Sequence, residues 1–177
     1  VAQMIGKELA KAGIPVVSGL AYGIDSFAHE GTVNAGGEAI AVLGTGIDVI
    51  HPARNAWLYN RIAKSGLIIS EYPPGTPGAK YTFPQRNRII SAISESVVVV
   101  EAGLNSGSLI TTDFANEQGK SIYAVPGNIN SQFSVGTNKL IKDGAIPMIS
   151  ISDIVSDVKD FEYIPQKIEN TLGSDEL

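Results

Sequence analysis

Short apolar runs rich in β-branched residues recur along the chain. They are Ile14–Leu20, Ala39–Leu43, Leu67–Ser70, Ser96–Val100, Ser121–Val125 and Ala145–Ile149. Each has the length and composition of a strand. Val97–Val100 is apolar on both faces, which predicts a central parallel strand. Helical periodicity fills the intervals. Met4, Ile5, Leu9 and Ala12 fall on one face of a first helix, and Asp25–Ala35, Ala56–Lys64, Pro84–Ile93 and Ser108–Gln118 are predicted as four more. A short helix is expected from Asp153 to Val158. Gly13, Gly66 and Gly119 follow helices, where a positive φ is often needed. Strands alternating with helices predict an α/β fold with a mostly parallel sheet, right-handed crossovers and helices on both faces. The chain opens in a helix where a doubly wound fold opens in a strand, so a first strand is expected to be missing. The body is expected to end near residue 155, with 156–177 as an acidic linker or tail.

Composition sharpens this picture. The 177 residues are 44% apolar and 18% charged, enough for a sizeable core. The 19 glycines show no period, which excludes collagen. Absence of cysteine excludes a disulfide framework and a thiolate metal site. No apolar run approaches the roughly 20 residues of a membrane span. Val1 is not an initiator methionine, and no signal-peptide pattern follows it. The expectation is a cytoplasmic protein fragment without membrane partners. The net charge of −5 argues at first against nucleic acid, but it is unevenly placed. Residues 151–177 hold seven acids and two bases, so residues 1–150 are neutral.

In an open α/β sheet, ligands gather at the carboxyl ends of strands. The turn Ser18-Gly-Leu-Ala-Tyr-Gly-Ile-Asp25 joins a strand to a helix capped near Asp25, and its backbone N–H groups suit a phosphate. An ordinary βα turn is the bland alternative. Gly44-Thr-Gly46 begins like a dinucleotide fingerprint but lacks the third glycine, and no GxxxxGK[ST] loop occurs. Neither NAD, FAD nor any other cofactor is expected. Between Glu71 and Glu95 there is no acid, while Lys80, Arg86 and Arg88 give a charge of +3. Pro84 suits a first helical turn, which puts Arg86, Asn87 and Arg88 near a helix N-terminus. Cations there call for an anion, and arginine grips phosphate bidentately. Tyr72, Tyr81 and Phe83 lie close by as base-stacking surfaces. One arginine is expected to pair with Glu71 or Glu101 inside the fold. Ser106, Gly107, Ser108 and Thr111 open a further helix, as an anion cradle or as a simple N-cap. Catalysis has little support. There is no GxSxG elbow, and His29 and His51 lack metal-ligand spacing. Asp25, Glu71 and Glu101 are candidate paired carboxylates with no nucleophile beside them.

Five motifs then occur in one order. They are Ser18–Asp25, Phe83-Pro-Gln-Arg-Asn-Arg-Ile-Ile90, Glu101–Thr111, Ala124-Val-Pro-Gly127 and Gly136–Ala145. Together they resemble the DprA/Smf family over about residues 1–155. The resemblance implies an extended Rossmann-like domain that binds single-stranded DNA without catalysis. It implies protection of incoming strands during natural transformation, loading of the RecA recombinase, and a homodimer. By the same resemblance the DNA-binding residues are Ser18, Gly19, Tyr22, Gly23, Asp25, Lys80, Arg86, Asn87, Arg88, Ser106, Gly107, Ser108 and Thr111. Tyr22 and Asn105 stand where some relatives carry a basic residue, so Tyr22 is assigned to base stacking. The dimer contact is expected through Leu140 and Ile141, with both facing the core as the bland alternative. The competing reading is a nucleoside-monophosphate phosphoribohydrolase on a similar sheet, with Glu101 and the 105–111 loop at its site. Its PGGxGT loop is absent. A third reading is an interaction module docking through the last helix.

Overall fold

The computed structural model describes residues 1–159. Of the tail expected at 156–177, residues 160–177 lie outside the described residues, and 156–159 belong to the last helix. Seven helices and six strands are described, in the order α1 (Ala2–Lys11), β1 (Val16–Ser18), α2 (Ile24–Asn34), β2 (Ala39–Leu43), α3 (Ala56–Ser65), β3 (Leu67–Ser70), α4 (Thr82–Ala92), β4 (Ser96–Val99), α5 (Gly107–Glu117), β5 (Ser121–Ala124), α6 (Val135–Lys142), β6 (Ile146–Pro147) and α7 (Ser152–Lys159). A 3-10 turn at Ala53–Asn55 leads into α3. All described strand pairs are parallel, so the α/β expectation holds.

The strands form two three-stranded ladders, β1-β2-β3 and β4-β5-β6. Register runs Val16↔Ala39 and Ile40↔Leu67 in the first, Ser96↔Ser121 and Tyr123↔Ile146 in the second. No ladder bond joins β1 to β4 among the described residues, so β4 ends its ladder instead of sitting mid-sheet. Its residues are still covered on both sides. Val97 and Val99 pack with Ala115 of α5 and Ile122. Val98 and Val100 pack with Ile5, Leu9 and Val16. That second cluster also takes in Tyr123, Met148 and Ile154 of α7, so apolar packing joins the two halves. A third cluster holds β2 against α3 through Ala39, Ala41, Leu43, Leu58 and Ile62. Helix α7 runs across residue 155, and Ile154 is 2% exposed.

Several local expectations shift. Helix α1 buries Ala2, Ile5, Gly6 and Leu9, while Met4 is exposed. Met4 lies off the buried face, and α1 meets α2 almost backbone to backbone on another side. A Cβ on Gly31 would fall 2.0 Å from the Gln3 carbonyl oxygen, and one on Gly6 would fall 2.2 Å from that of Ala28. Only a narrow strip of α1 fits such a contact. Gly13 and Gly119 take the expected positive φ, of 77° and 68°. Gly66 does not, with φ at −146°. It is glycine because a Cβ there would meet the Ala39 carbonyl at 2.1 Å. Helix α4 starts two residues before Pro84. Thr82 Oγ1 accepts from the Ala79 amide at 3.0 Å and donates to the Ala79 carbonyl at 2.9 Å, which builds the earlier start. Pro84 is then the third helical residue, still within the turn whose amides have no helical acceptor.

His29 ties α2 to β2. Its ring is fully buried, and Nε2 lies 3.3 Å from the Ile40 carbonyl oxygen. Nδ1 has no partner. Burial pushes its pKa down from 6.5 to about 4, partly offset by Asp25 and the Ile40 carbonyl. Above pH 6.5 the imidazole is neutral in folded and unfolded chains alike. Below it the unfolded chain binds a proton that the folded chain refuses until about pH 4. Stability is therefore expected to fall as pH drops through that window, by up to about 3 kcal/mol from this group. Urea denaturation at a series of pH values checks this. A His29→Gln variant that declined as steeply as the parent would refute it.

Candidate nucleic-acid interface

The turn after β1 is held from three directions. Leu20, at its centre, has φ of 55° and no exposed surface. A buried leucine rarely takes that conformation, so the surroundings must impose it. Asp25 Oδ2 accepts from the amides of Gly19 at 3.1 Å and Ala21 at 3.2 Å. Asn55 Nδ2, from the 3-10 turn, donates to the Leu20 carbonyl at 2.9 Å. Arg86 Nη1, from α4, donates to the Gly19 carbonyl at 2.8 Å. The amides that were expected to cradle a phosphate thus already hold the chain's own carboxylate. Asp25 acts here as the turn's internal anion, and Gly23, not Asp25, is the N-cap of α2.

Arg86 departs most from expectation. As α4 begins at Thr82, Arg86 lies in its second turn and is 4% exposed. The same Nη1 also donates to the Val42 carbonyl at the end of β2. Its Nε donates to Asn87 Oδ1 at 3.2 Å. Burial lowers its pKa, and the nearby Asp25 charge counteracts that. A Cβ on Gly19 would stand 2.3 Å from the guanidinium, which explains the glycine. Arg86 therefore supports the turn from beneath instead of presenting a cation at the surface. Asn87 reaches the other half, its Nδ2 lying 3.4 Å from the Gly107 carbonyl oxygen at the start of α5.

The remaining cations separate by partner. Arg88 pairs with Glu71 at the surface, as expected of one arginine. Lys80 is exposed and has no carboxylate partner among the described residues. Tyr81 beside it is 66% exposed, and Tyr22 is 67% exposed. Phe83 instead packs inward. Its ring lies against His51 at 5.2 Å between centroids, and Cβ atoms on Gly44 and Gly78 would collide with it. Ser106 is the N-cap of α5, accepting from the Ser108 amide at 3.4 Å, and the two hydroxyls are 2.7 Å apart. The simple capping alternative is therefore realised there. Gly107 is exposed, while Ser18 and Thr111 are half-buried. Asp25 and Glu71 bind different partners, so the expected carboxylate pair does not form. No group of three acids or histidines suited to a metal stands among the described residues. No described helix is long and apolar enough to cross a membrane.

Leu140 of α6 packs against the core cluster of Val97, Val99 and Ala115. Ile141 is half-buried and Val135 is 37% exposed. The inward alternative is thus met for Leu140. Composition gave no sign of Asn55 or of the Leu20 backbone. An asparagine following proline and arginine reads as an ordinary loop.

The sequence and the fold are similar to those of known proteins. Residues 1–159 match the family described as DNA recombination-mediator protein A. The chain belongs to this family. It is 43% identical to the protein Smf of Escherichia coli over 168 residues, covering 94% of this chain and 45% of that protein. The crystal structure of DNA processing protein A from Streptococcus pneumoniae superposes with a TM-score of 0.80 at 40% identity, over 88% of this chain and 56% of that one. The Helicobacter pylori DNA processing protein A, whose structure concerns its single-stranded DNA binding mode, gives 0.82 at 32% identity, over 90% and 72%. Both share the Rossmann-like fold. The chain spans about half the length of the curated family members it matches.

The buried geometry makes Arg86→Ala a stability variant of this chain's core, not a clean probe of phosphate contact. Removing the side chain leaves the Gly19 and Val42 carbonyls unpaired beneath the turn. The expected loss is about 2–5 kcal/mol, from unsatisfied acceptors plus a cavity. Urea denaturation measures it, and a loss below about 1 kcal/mol would contradict the structural role.

Proposed function

We propose that this chain binds single-stranded DNA without catalysis, through the carboxyl edge of its two ladders. It protects incoming strands in the cytoplasm during natural transformation, helps load RecA onto them, and works as a homodimer. The binding body includes α7 and so extends past the expected limit at residue 155. The observation that carries the reading is the family match over residues 1–159, together with an edge that offers an exposed Lys80, without a carboxylate partner among the described residues, next to the exposed Tyr81. The single-stranded DNA binding mode of the Helicobacter pylori relative supports it further.

The chemistry suits a flexible polyanion. Lys80 supplies a point charge, and Tyr81 and Tyr22 supply faces on which any base stacks. The loop Ser106–Ser108 and the exposed Gly107 flank the same edge across Asn87. Ser18, Gly19, Gly23, Asp25, Arg86 and Asn87 act by holding the edge in shape, and Arg88 adds a cation shared with Glu71. The phosphoribohydrolase alternative gains nothing from the geometry, since its PGGxGT loop is absent and Ser106 of its 105–111 loop caps α5.

A salt titration of oligonucleotide binding, followed by fluorescence anisotropy, tests this reading. Single strands are expected to bind more tightly than duplex, with affinity falling steeply in salt as counterions are released. Lys80→Ala is expected to weaken all sequences alike and to reduce the salt slope by about 0.7. Tyr81→Ala is expected to cost about tenfold with the slope unchanged. Equal binding of duplex and single strands would reject the proposal. The dimer is assigned to α6 through Ile141. Light scattering is expected to give a dimer mass that Ile141→Glu halves, and a monomeric parent would remove the assignment.

A further inference from the structure

We propose that Arg54 and Tyr22 form one composite binding element for single-stranded nucleic acid, with Arg54 the phosphate-gripping half. The proposal rests on the single-strand reading above and adds a residue to it. The guanidinium carbon of Arg54 lies 3.4 Å from the centroid of the Tyr22 ring. That is contact distance for a planar cation stacked on an aromatic face. Both groups are exposed, Tyr22 at 67%. Cation–π pairs are common, and this one alone would be only a surface contact.

Three further observations point to a ligand. First, the pair is built across two separate segments, the turn after β1 and the 3-10 turn after β2. Asn55, the residue next to Arg54, is 6% exposed and donates to the Leu20 and Ala21 carbonyls at 2.9 and 3.4 Å. The neighbours of Arg54 and Tyr22 are thus pinned together, and the stack does not depend on two loose side chains meeting. Secondly, no carboxylate lies within ion-pair distance of Arg54 among the described residues. Thirdly, residues 48–94 contain six cations and two acids, Asp48, which accepts from the Gly75 amide, and Glu71, which is engaged by Arg88. Arg61 donates to Asn34 and Val33, and Arg86 is internal. Arg54 therefore stands in a cation-rich stretch without local compensation.

Stacking against Tyr22 occupies one face of the guanidinium and orients the group. Its in-plane N–H donors stay available, and a planar fork of donors matches the oxygens of a phosphate. Its outer face continues the aromatic surface for a base. The ligand class is a single-stranded phosphodiester chain, bound with little sequence preference.

Anisotropy titrations of the 177-residue chain with labelled oligothymidylate, at several salt concentrations, test the element. Arg54→Ala is expected to lower affinity about fivefold or more and to reduce the salt slope by about 0.7. Arg54→Lys is expected to keep the slope but recover only part of the affinity, since it keeps the charge and loses the plane. Tyr22→Leu is expected to lose affinity with no change in slope. The Arg54→Ala, Tyr22→Leu double variant is expected to lose less than the product of the two single losses, because the residues act as a unit. Parental affinity and slope in Arg54→Ala, with the parent binding well, would overturn this proposal alone. A parent that binds no single strand at low salt would overturn the functional reading beneath it as well.

Discussion

The constraint on which the site depends is the burial of one guanidinium. Arg86 reaches from α4 to the carbonyls that end β1 and β2, and the next residue, Asn87, reaches toward α5 in the other half. The two ladders share no described backbone bond, so this pair supplies polar contact across the seam where apolar packing supplies bulk. A charge held at 4% exposure is tolerable only if its donors are engaged and an opposite charge is near. The carbonyls meet the first need and Asp25 meets the second. Asp25 in turn holds the amides of the same turn whose carbonyl Arg86 holds. Turn, helix and acid thus fix one another.

Much of the fold was legible because packing follows period. The runs at Ala39–Leu43 and Leu67–Ser70 are strands with the predicted limits, and Ala56 opens α3 as its pattern required. Misplacements arose where tertiary contact overrode local signal. Met4 was counted with the apolar pattern of α1, but the helix packs through Ala2, Ile5, Gly6 and Leu9, and Met4 lies off that face. Gly66 looked like a helix stop needing positive φ, whereas it is glycine because the Ala39 carbonyl occupies its Cβ position. Pro84 marked α4 correctly but not its first residue, since Thr82 could build a start from its own hydroxyl.

The site was legible as a charge pattern and not as a geometry. Lys80, Arg86 and Arg88 are equivalent in a sequence count. In the fold one is exposed, one is buried and one is paired. Only long-range contacts separate them, and sequence spacing does not carry those contacts. The anion-binding look of the Ser18–Asp25 turn was real, but the anion is Asp25 itself. Asn55 left no trace because its partners, Leu20 and Ala21, lie more than thirty residues away. Leu20 was equally silent, since no residue type announces a forced backbone.

That forced backbone also bears on association rates. A loop that must find its shape after contact slows capture, because only a fraction of encounters meets the competent form. The turn around Leu20 is locked during folding by Asp25, Asn55 and Arg86, so nearly every encounter at this edge meets a finished surface. Under the proposed function, capture of a single strand at this edge is then governed by diffusion and charge, without a conformational gate.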